Sequence, residues 1–254
     1  MNDAAFDLAD RWAVVTGSTR GIGKAIALEL AAGGANVVVH GRNAGAAEEV
    51  CAAILKLKRE AVAVVTDIAT PEGRAAFVEQ VWRDRPIDVW VNNAGVDVLT
   101  GAAADWPFAE KLQRLWELDV QGTIEFSRNV GDRMRQRGHG AIVNIGWDQA
   151  EVGMAGDSGE MFAAVKGAVM AFTRSLAKSL APQVRVNCIA PGWIRTAWGD
   201  DAPEYWQERA VNESLLHRWG KVEDVARTAR FLASPAASFI TGQMLNVNGG
   251  RARE

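Results

Sequence analysis

Tyrosine is almost missing from this chain. Of 254 residues, one is Tyr, at position 205, against ten Trp. Chemistry that needs a phenol as proton donor therefore has a single candidate. Cysteine is nearly as scarce: Cys51 falls in a helical pattern and Cys188 in an apolar strand. Two reduced, buried thiols are expected in preference to a disulfide. The three histidines, His40, His139 and His217, are scattered with no metal-ligand spacing, so no metal is expected. Net charge is −3 with no basic cluster, which excludes nucleic acid as an expected partner. No apolar run reaches membrane-span length, so no membrane association is expected. Met1 to Asp10 lacks the basic start and apolar stretch of a secretory signal, and the expected compartment is the cytoplasm.

What is present is a large apolar content, 48% of residues, arranged in alternating strand and helix patterns. Strands are expected at Trp12 to Thr16, Asn36 to His40, Val62 to Thr66, Ile87 to Val91, Ala141 to Ile145, Val184 to Ile189 and Met244 to Val247. Helices are expected at Gly21 to Ala32, Ala44 to Arg59, and near 71–84, 108–137, 160–181 and 222–233. The Val/Ile runs do not alternate with polar residues, so both faces of the sheet are covered. This predicts an α/β chain: one Rossmann-type domain over 1–254, a doubly wound parallel sheet of about seven strands with helices on both faces. Arg251 to Glu254 reads as a short tail. The least regular stretch, Pro191 to Tyr205, is rich in Gly, Pro, Asp and Trp and follows a strand. With the residues on to position 217 it reads as a lid over a site, carrying Trp193, Trp198 and Trp206.

Thr16-Gly17-Ser18-Thr19-Arg20-Gly21-Ile22-Gly23 joins the first strand to the first helix. Glycines there let the backbone turn and approach a pyrophosphate, and the helix start offers it unpaired N–H groups. A site selective for NAD places a carboxylate after the second strand. Here the segment is His40-Gly41-Arg42-Asn43, with no acid, and a guanidinium fork suits a 2′-phosphate. Arg42 and Arg20 together point to NADP(H).

Over nearly its whole length the chain resembles the short-chain dehydrogenase/reductase family, in particular 3-oxoacyl-ACP reductase-like members. The glycine segment matches the family's TGxxxGIG pattern, and Asn92-Asn93-Ala94-Gly95 its NNAG motif. Pro191-Gly192, with Ile194 and Thr196, matches the segment that reaches the nicotinamide, and Thr241-Gly242-Gln243 with Asn248-Gly249-Gly250 the C-terminal signature. The resemblance implies adenine contacts at Asp67 and Ile68, and a ribose contact at Lys166. It also implies a homo-oligomer, a tetramer or dimer, built through the long middle helix and the helix bearing Lys166. Leu112, Leu115, Trp116, Phe126, Phe172 and Leu176 would serve either that interface or the core.

At the reaction end the pattern breaks. The family uses Tyr as proton donor, Lys to lower its pKa, Ser to bind the oxygen and Asn to hold a water. Here Lys166 is kept, but Phe162 stands for the Tyr, Trp147 for the Ser and Asp119 for the Asn. A general acid is worth roughly 10²–10⁴ in rate, and an oxyanion donor about 10²–10³. Against a typical turnover of about 10 s⁻¹, ordinary ketone reduction becomes very slow. Ser158 could supply a hydroxyl, though a capping or turning role in its loop is the simpler expectation. The leading expectation is an NADP(H) oxidoreductase acting on a C=N bond or iminium, which needs no proton at the acceptor. Trp147 and Phe162 would offer ring faces to the cation, with Asp119, Asp148 and Glu151 adding negative charge nearby. The expected ligand is a small apolar, aromatic or cationic molecule. Reduction of an activated C=C bond, or of a substrate that supplies its own acid, is a variant of this expectation. Two other readings stand: a non-catalytic NADP(H) binder with Trp147 plugging the pocket, and a lyase or dehydratase using Asp119 with Lys166. The bland role for that pair is a buried ion pair between helices. An open cavity beside Trp147 would argue against the plug.

Overall fold

The computed structural model describes residues 4–200 and 202–251, apart from the side chains of Ala4 and Trp198. Part of the tail expected at Arg251 to Glu254, residues 252–254, lies outside the described residues, as do residues 1–3 of the N-terminal stretch. The chain runs β1 (Trp12–Val15), α1 (Gly21–Ala32), β2 (Asn36–Gly41), α2 (Ala44–Lys56), β3 (Ala61–Val65), α3 (Pro71–Arg83) and β4 (Ile87–Asn92). It continues through α4 (Phe108–Leu115), a π turn (Trp116–Gly122), α5 (Thr123–Arg137), β5 (Gly140–Ile145), α6 (Asp157–Leu180) and β6 (Val184–Pro191). Last come β7 (Ile194–Arg195), α7 (Ala197–Asp200), α8 (Glu204–Glu213), β8 (Gly220–Lys221), α9 (Val222–Ala233) and β9 (Met244–Val247).

Seven strands form one sheet in the order β3-β2-β1-β4-β5-β6-β9, with every neighbouring pair parallel. The pleat divides the side chains between two cores. Ala13, Val15, Val37, Val39, Val89 and Val91 face α1, α2 and α9, while Val14, Val38, Trp90, Ile142 and Val186 face α3, α5 and α6. Strand order reverses between β1 and β4, which opens a crevice at their carboxyl ends. Both glycine-bearing motifs lie there.

Three expectations change. The helix expected to reach Arg59 stops at Lys56, and Lys58 takes a positive φ in the turn that follows. The single helix over 108–137 is instead α4, the π turn and α5, because a 3.6-residue period cannot register one wider turn. The irregular lid segment holds two helices, and β7 pairs with β8 outside the main sheet. Of the residues shared between interface and core expectations, Leu115, Phe126 and Leu176 are buried, whereas Trp116 stays 43% exposed.

Candidate active site

The crevice is built by hydrogen bonds between β1 and β4. Thr16 Oγ1 donates to the Val91 carbonyl and accepts from the N–H groups of Asn93 and Ala94, both at 3.0 Å. Asn93 Nδ2 donates to the carbonyls of Thr16 and Gly17. Gly23 is required by this packing, since a Cβ there would lie 2.3 Å from both Asn93 Nδ2 and the Gly17 oxygen. Gly17 adopts φ +65°, a conformation favourable to glycine. Beneath the turn sits buried His40. Its Nδ1 accepts the Gly17 N–H at 3.1 Å, so Nε2 carries the proton and donates to the Thr66 carbonyl. Burial lowers the His40 pKa, and the bond to Thr66 only partly opposes it. Ser18 is tied to the same strand, its Oγ accepting the His40 N–H at 2.9 Å.

Two cavities open from this crevice. One, of about 650 Å³, is lined by Gly17, Arg20, Gly21, Ile22, Gly23, Asn93, Gly95, Asp97, Thr100, Thr196 and Ala197. Its glycine turn and helix start fit a dinucleotide pyrophosphate. The expected cofactor residues Ser18, Thr19, Arg42, Asp67, Ile68 and Ala94 lie outside its lining. Arg42 is exposed just after β2, with Thr19 packed against Gly41 beside it. Asp67 is exposed and accepts the Ala69 N–H, and Ile68 is buried in the core.

The second cavity, of about 540 Å³, brings together Ile22, Ile145, Trp147, Met154, Ser158, Phe162, Lys166, Pro191, Gly192, Trp193, Ile194, Thr196, Trp206 and Trp219, with Leu99 and Gly146. Trp147 therefore does not fill the space. Its ring stands edge-on to Phe162 with centroids 6.1 Å apart. Ser158, Phe162 and Lys166 occupy one face of α6 at four-residue intervals. Ser158 does not cap the helix: Gly156 holds the N-cap position, and the Ser158 hydroxyl makes no hydrogen bond to any described residue. Tyr205 is remote from this chemistry. It is 62% exposed, accepts a long hydrogen bond from Arg209 and does not line the cavity.

Lys166 Nζ donates to Asp119 Oδ2 at 2.8 Å, and the other oxygen of Asp119 accepts the Val96 N–H at 3.0 Å. Both oxygens are thus engaged, on a side chain that is 3% exposed. The residues expected to add negative charge at the cavity do not reach it. Glu151 is exposed and pairs with Arg174, 3.6 Å away. Asp148 is buried behind Gly192, where Oδ2 accepts from Asn248 at 2.9 Å. Burial raises its pKa, against the opposing pull of that bond and of Arg251.

Residues 17–252 match the family model described as enoyl-(acyl carrier protein) reductase. The chain belongs to the short-chain dehydrogenase/reductase family. It is 38% identical over 248 residues to a 3-oxoacyl-[acyl-carrier-protein] reductase of Synechocystis, covering 94% of this chain and 95% of that one. A 7α-hydroxysteroid dehydrogenase solved with NADH and 7-oxo glycochenodeoxycholic acid superposes with a TM-score of 0.90 at 33% identity, over 100% and 99% of the two chains. A gluconate 5-dehydrogenase from Burkholderia cenocepacia, solved with NADP and tartrate, gives 0.86 at 33% identity over 97% of each.

Within this short-chain dehydrogenase/reductase scaffold, sequence reasoning missed three groups. Trp219 closes the cavity beside Trp193, at 6.1 Å between ring centroids, although it lies outside the segment read as a lid. Glu213 ends α8 and accepts the Trp193 indole N–H at 2.7 Å and the Gln149 amide at 3.2 Å. Its other oxygen accepts from Arg209, whose guanidinium lies over the rings of Trp193 and Trp206. Third, Asn92 joins Trp90, Ser127 and Asn144, and Asn144 donates to Thr173, a buried chain of bonds that fixes α5 and α6 to the strands. For the last group the signals were the Asn92 motif and a second amide, Asn144, near the end of its strand, neither of which gave the bonding partners. A lone Glu and a lone Trp gave none.

Proposed function

We propose that this chain is an NADP(H)-dependent oxidoreductase that reduces a C=N bond, an imine carried as its iminium, in place of a ketone. The observation that carries this reading is an open cavity beside Lys166 whose wall presents Trp147 and Phe162 where the family places its Ser and Tyr. The cofactor, when bound, supplies a hydride. Gly17 to Gly23 would hold its pyrophosphate, Arg20 and Arg42 its 2′-phosphate, Asp67 and Ile68 its adenine, and Lys166, anchored by Asp119, its ribose. Pro191, Gly192, Ile194 and Thr196 would flank the reacting ring. Asn93 and Gly95, which line the first cavity, would flank the cofactor there, with Ala94 between them.

Ketone reduction builds negative charge on oxygen, and no phenol lines this cavity to meet it. An iminium carbon accepts hydride while its nitrogen loses a positive charge, so no proton is needed at the acceptor. Aromatic walls favour the cation before reaction. Because Asp119 is paired with Lys166, and Asp148 and Glu151 lie elsewhere, the attraction rests on the rings rather than on carboxylates. The segment 191–217 acts in this reading as a lid, with Trp193 and Trp206 on its inner side. The exposed Trp116 suits contact with a second copy of the chain in a homo-oligomer.

The open cavity speaks against a plugged, non-catalytic binder. A lyase pair of Asp119 and Lys166 finds less support, because both oxygens of Asp119 already accept hydrogen bonds. The test is a paired panel: cyclic imines and ketones of matching skeleton, each with NADPH and with NADH. The expected result is NADPH consumption with an imine at a rate at least about 10²-fold above the paired ketone, and tighter binding of NADPH than NADH. Equal rates on ketone and imine would remove the proposal.

A further inference from the structure

Among the described residues that line the second cavity, Ser158 is a polar one that the proposed chemistry leaves unused. Its hydroxyl lines the cavity, half-buried, with no hydrogen bond to any described residue. Facing the cavity without a protein partner, this hydroxyl can donate to or accept from a polar group on a ligand. Beside it on that wall stand Met154, Trp147 and Phe162, none of whose side chains carries an oxygen. Its position is also fixed by the backbone. At Gly159 an added Cβ would lie 2.1 Å from the Met154 oxygen, so only glycine lets the preceding turn pack this closely on the start of α6. Ser158 sits in that clamped first turn.

The helix supplies a ruler. Ser158, Phe162 and Lys166 line the same cavity from one face of α6, and four helical residues rise about 6 Å. We infer that Ser158 is a specificity-determining residue that hydrogen-bonds a polar substituent of the substrate about 6 Å from the reacting carbon. The inference rests on the proposed reading and adds that the reacting carbon lies against Phe162, the position where the family carries its Tyr. The substrate class it names is an aromatic cyclic imine bearing a hydroxyl across the ring from the C=N carbon. The ring itself packs against the indoles of Trp193 and Trp206, which leaves the hydroxyl as the group that sets orientation.

Binding of amines separates this inference from the redox chemistry. The probes are 1,2,3,4-tetrahydroisoquinoline and its 6-hydroxy derivative, titrated by calorimetry into the full chain saturated with NADP+. The hydroxylated amine binds wild type tighter than the parent by on the order of threefold to tenfold. Ser158→Ala loses that advantage while still binding the parent amine, and Ser158→Thr, which keeps a hydroxyl, retains most of it. An equal preference in wild type and Ser158→Ala overturns the inference, as does binding of neither amine. The corresponding dihydroisoquinolines report separately on the redox reading. If the amines show the Ser158-dependent preference but the imines consume no NADPH, the hydride-transfer reading fails and the role of Ser158 stands.

Discussion

One oxygen of Asp148 is buried with no partner among the described residues, and the other is bound by Asn248. A buried acceptor left unmade costs about 1–3 kcal/mol, more when charged. Burial raises the carboxyl's pKa in the fold, so the folded state holds the proton more firmly than the unfolded chain does. The sign follows from linkage: this residue's contribution to stability falls as pH rises from the ordinary Asp value through the raised one, and stays low above it. Asp148→Asn removes the charge and keeps the shape. Thermal denaturation across pH should show the variant melting a few degrees higher at neutral pH, and the gap closing in acid. A lower melting temperature at pH 7 would mean that the charged form is needed. Asp148 also marks how far single residues could be read. Its place near the cavity was expected from its neighbour Trp147, but the side chain turns behind Gly192, and chain proximity does not give direction. His40 shows the same limit: a histidine ending a strand gives no sign that it will carry the N–H of Gly17.

Helix α8 is the element that the sequence least disclosed and the cavity most depends on. Pro203 and the Gly and Asp residues before it suggested irregular chain, yet ten residues from Glu204 form a helix whose last member grips Trp193. The grip is charged. Burial alone would raise the Glu213 carboxyl, but the hydrogen bonds from Trp193 and Arg209 prevail and hold it below the usual Glu range. A depressed folded pKa gives stability that is present above the unfolded value and lost as pH falls through the folded one. Glu213→Gln keeps the size and removes the charge. It should weaken the docking of α8 by about 1–2 kcal/mol, seen as a smaller near-ultraviolet Trp signal and faster proteolysis in 197–213, with the melting of the rest of the chain little changed. Unaltered spectra and cleavage would show that Trp193 is held by packing alone. The π turn at Trp116–Gly122 teaches the same lesson from another side. It carries Asp119 inward to Val96 and Lys166, and a 3.6-residue pattern passes over it.

At the scale of the whole molecule, the architecture was legible because its signals are local and repeated. Val/Ile runs, helical faces and the glycine turn each fixed one unit, and seven parallel strands with helices on both faces follow from their alternation. The cavity was legible only in part. Trp147, Phe162 and Lys166 were placed by motifs and do line it together, whereas Trp219 arrives from β8's neighbourhood through tertiary packing that no spacing encodes. Family membership sets the scaffold, and the side chains at the cavity set the chemistry. The fate of the hydride separates imine from ketone reduction. NADPH carrying deuterium at the transferred position, incubated with the protein and 3,4-dihydroisoquinoline, should place the label on the carbon of the former C=N bond, while the ketone of matching skeleton stays unlabelled over the same period. Label appearing in the ketone's alcohol, with none in the amine, would contradict it.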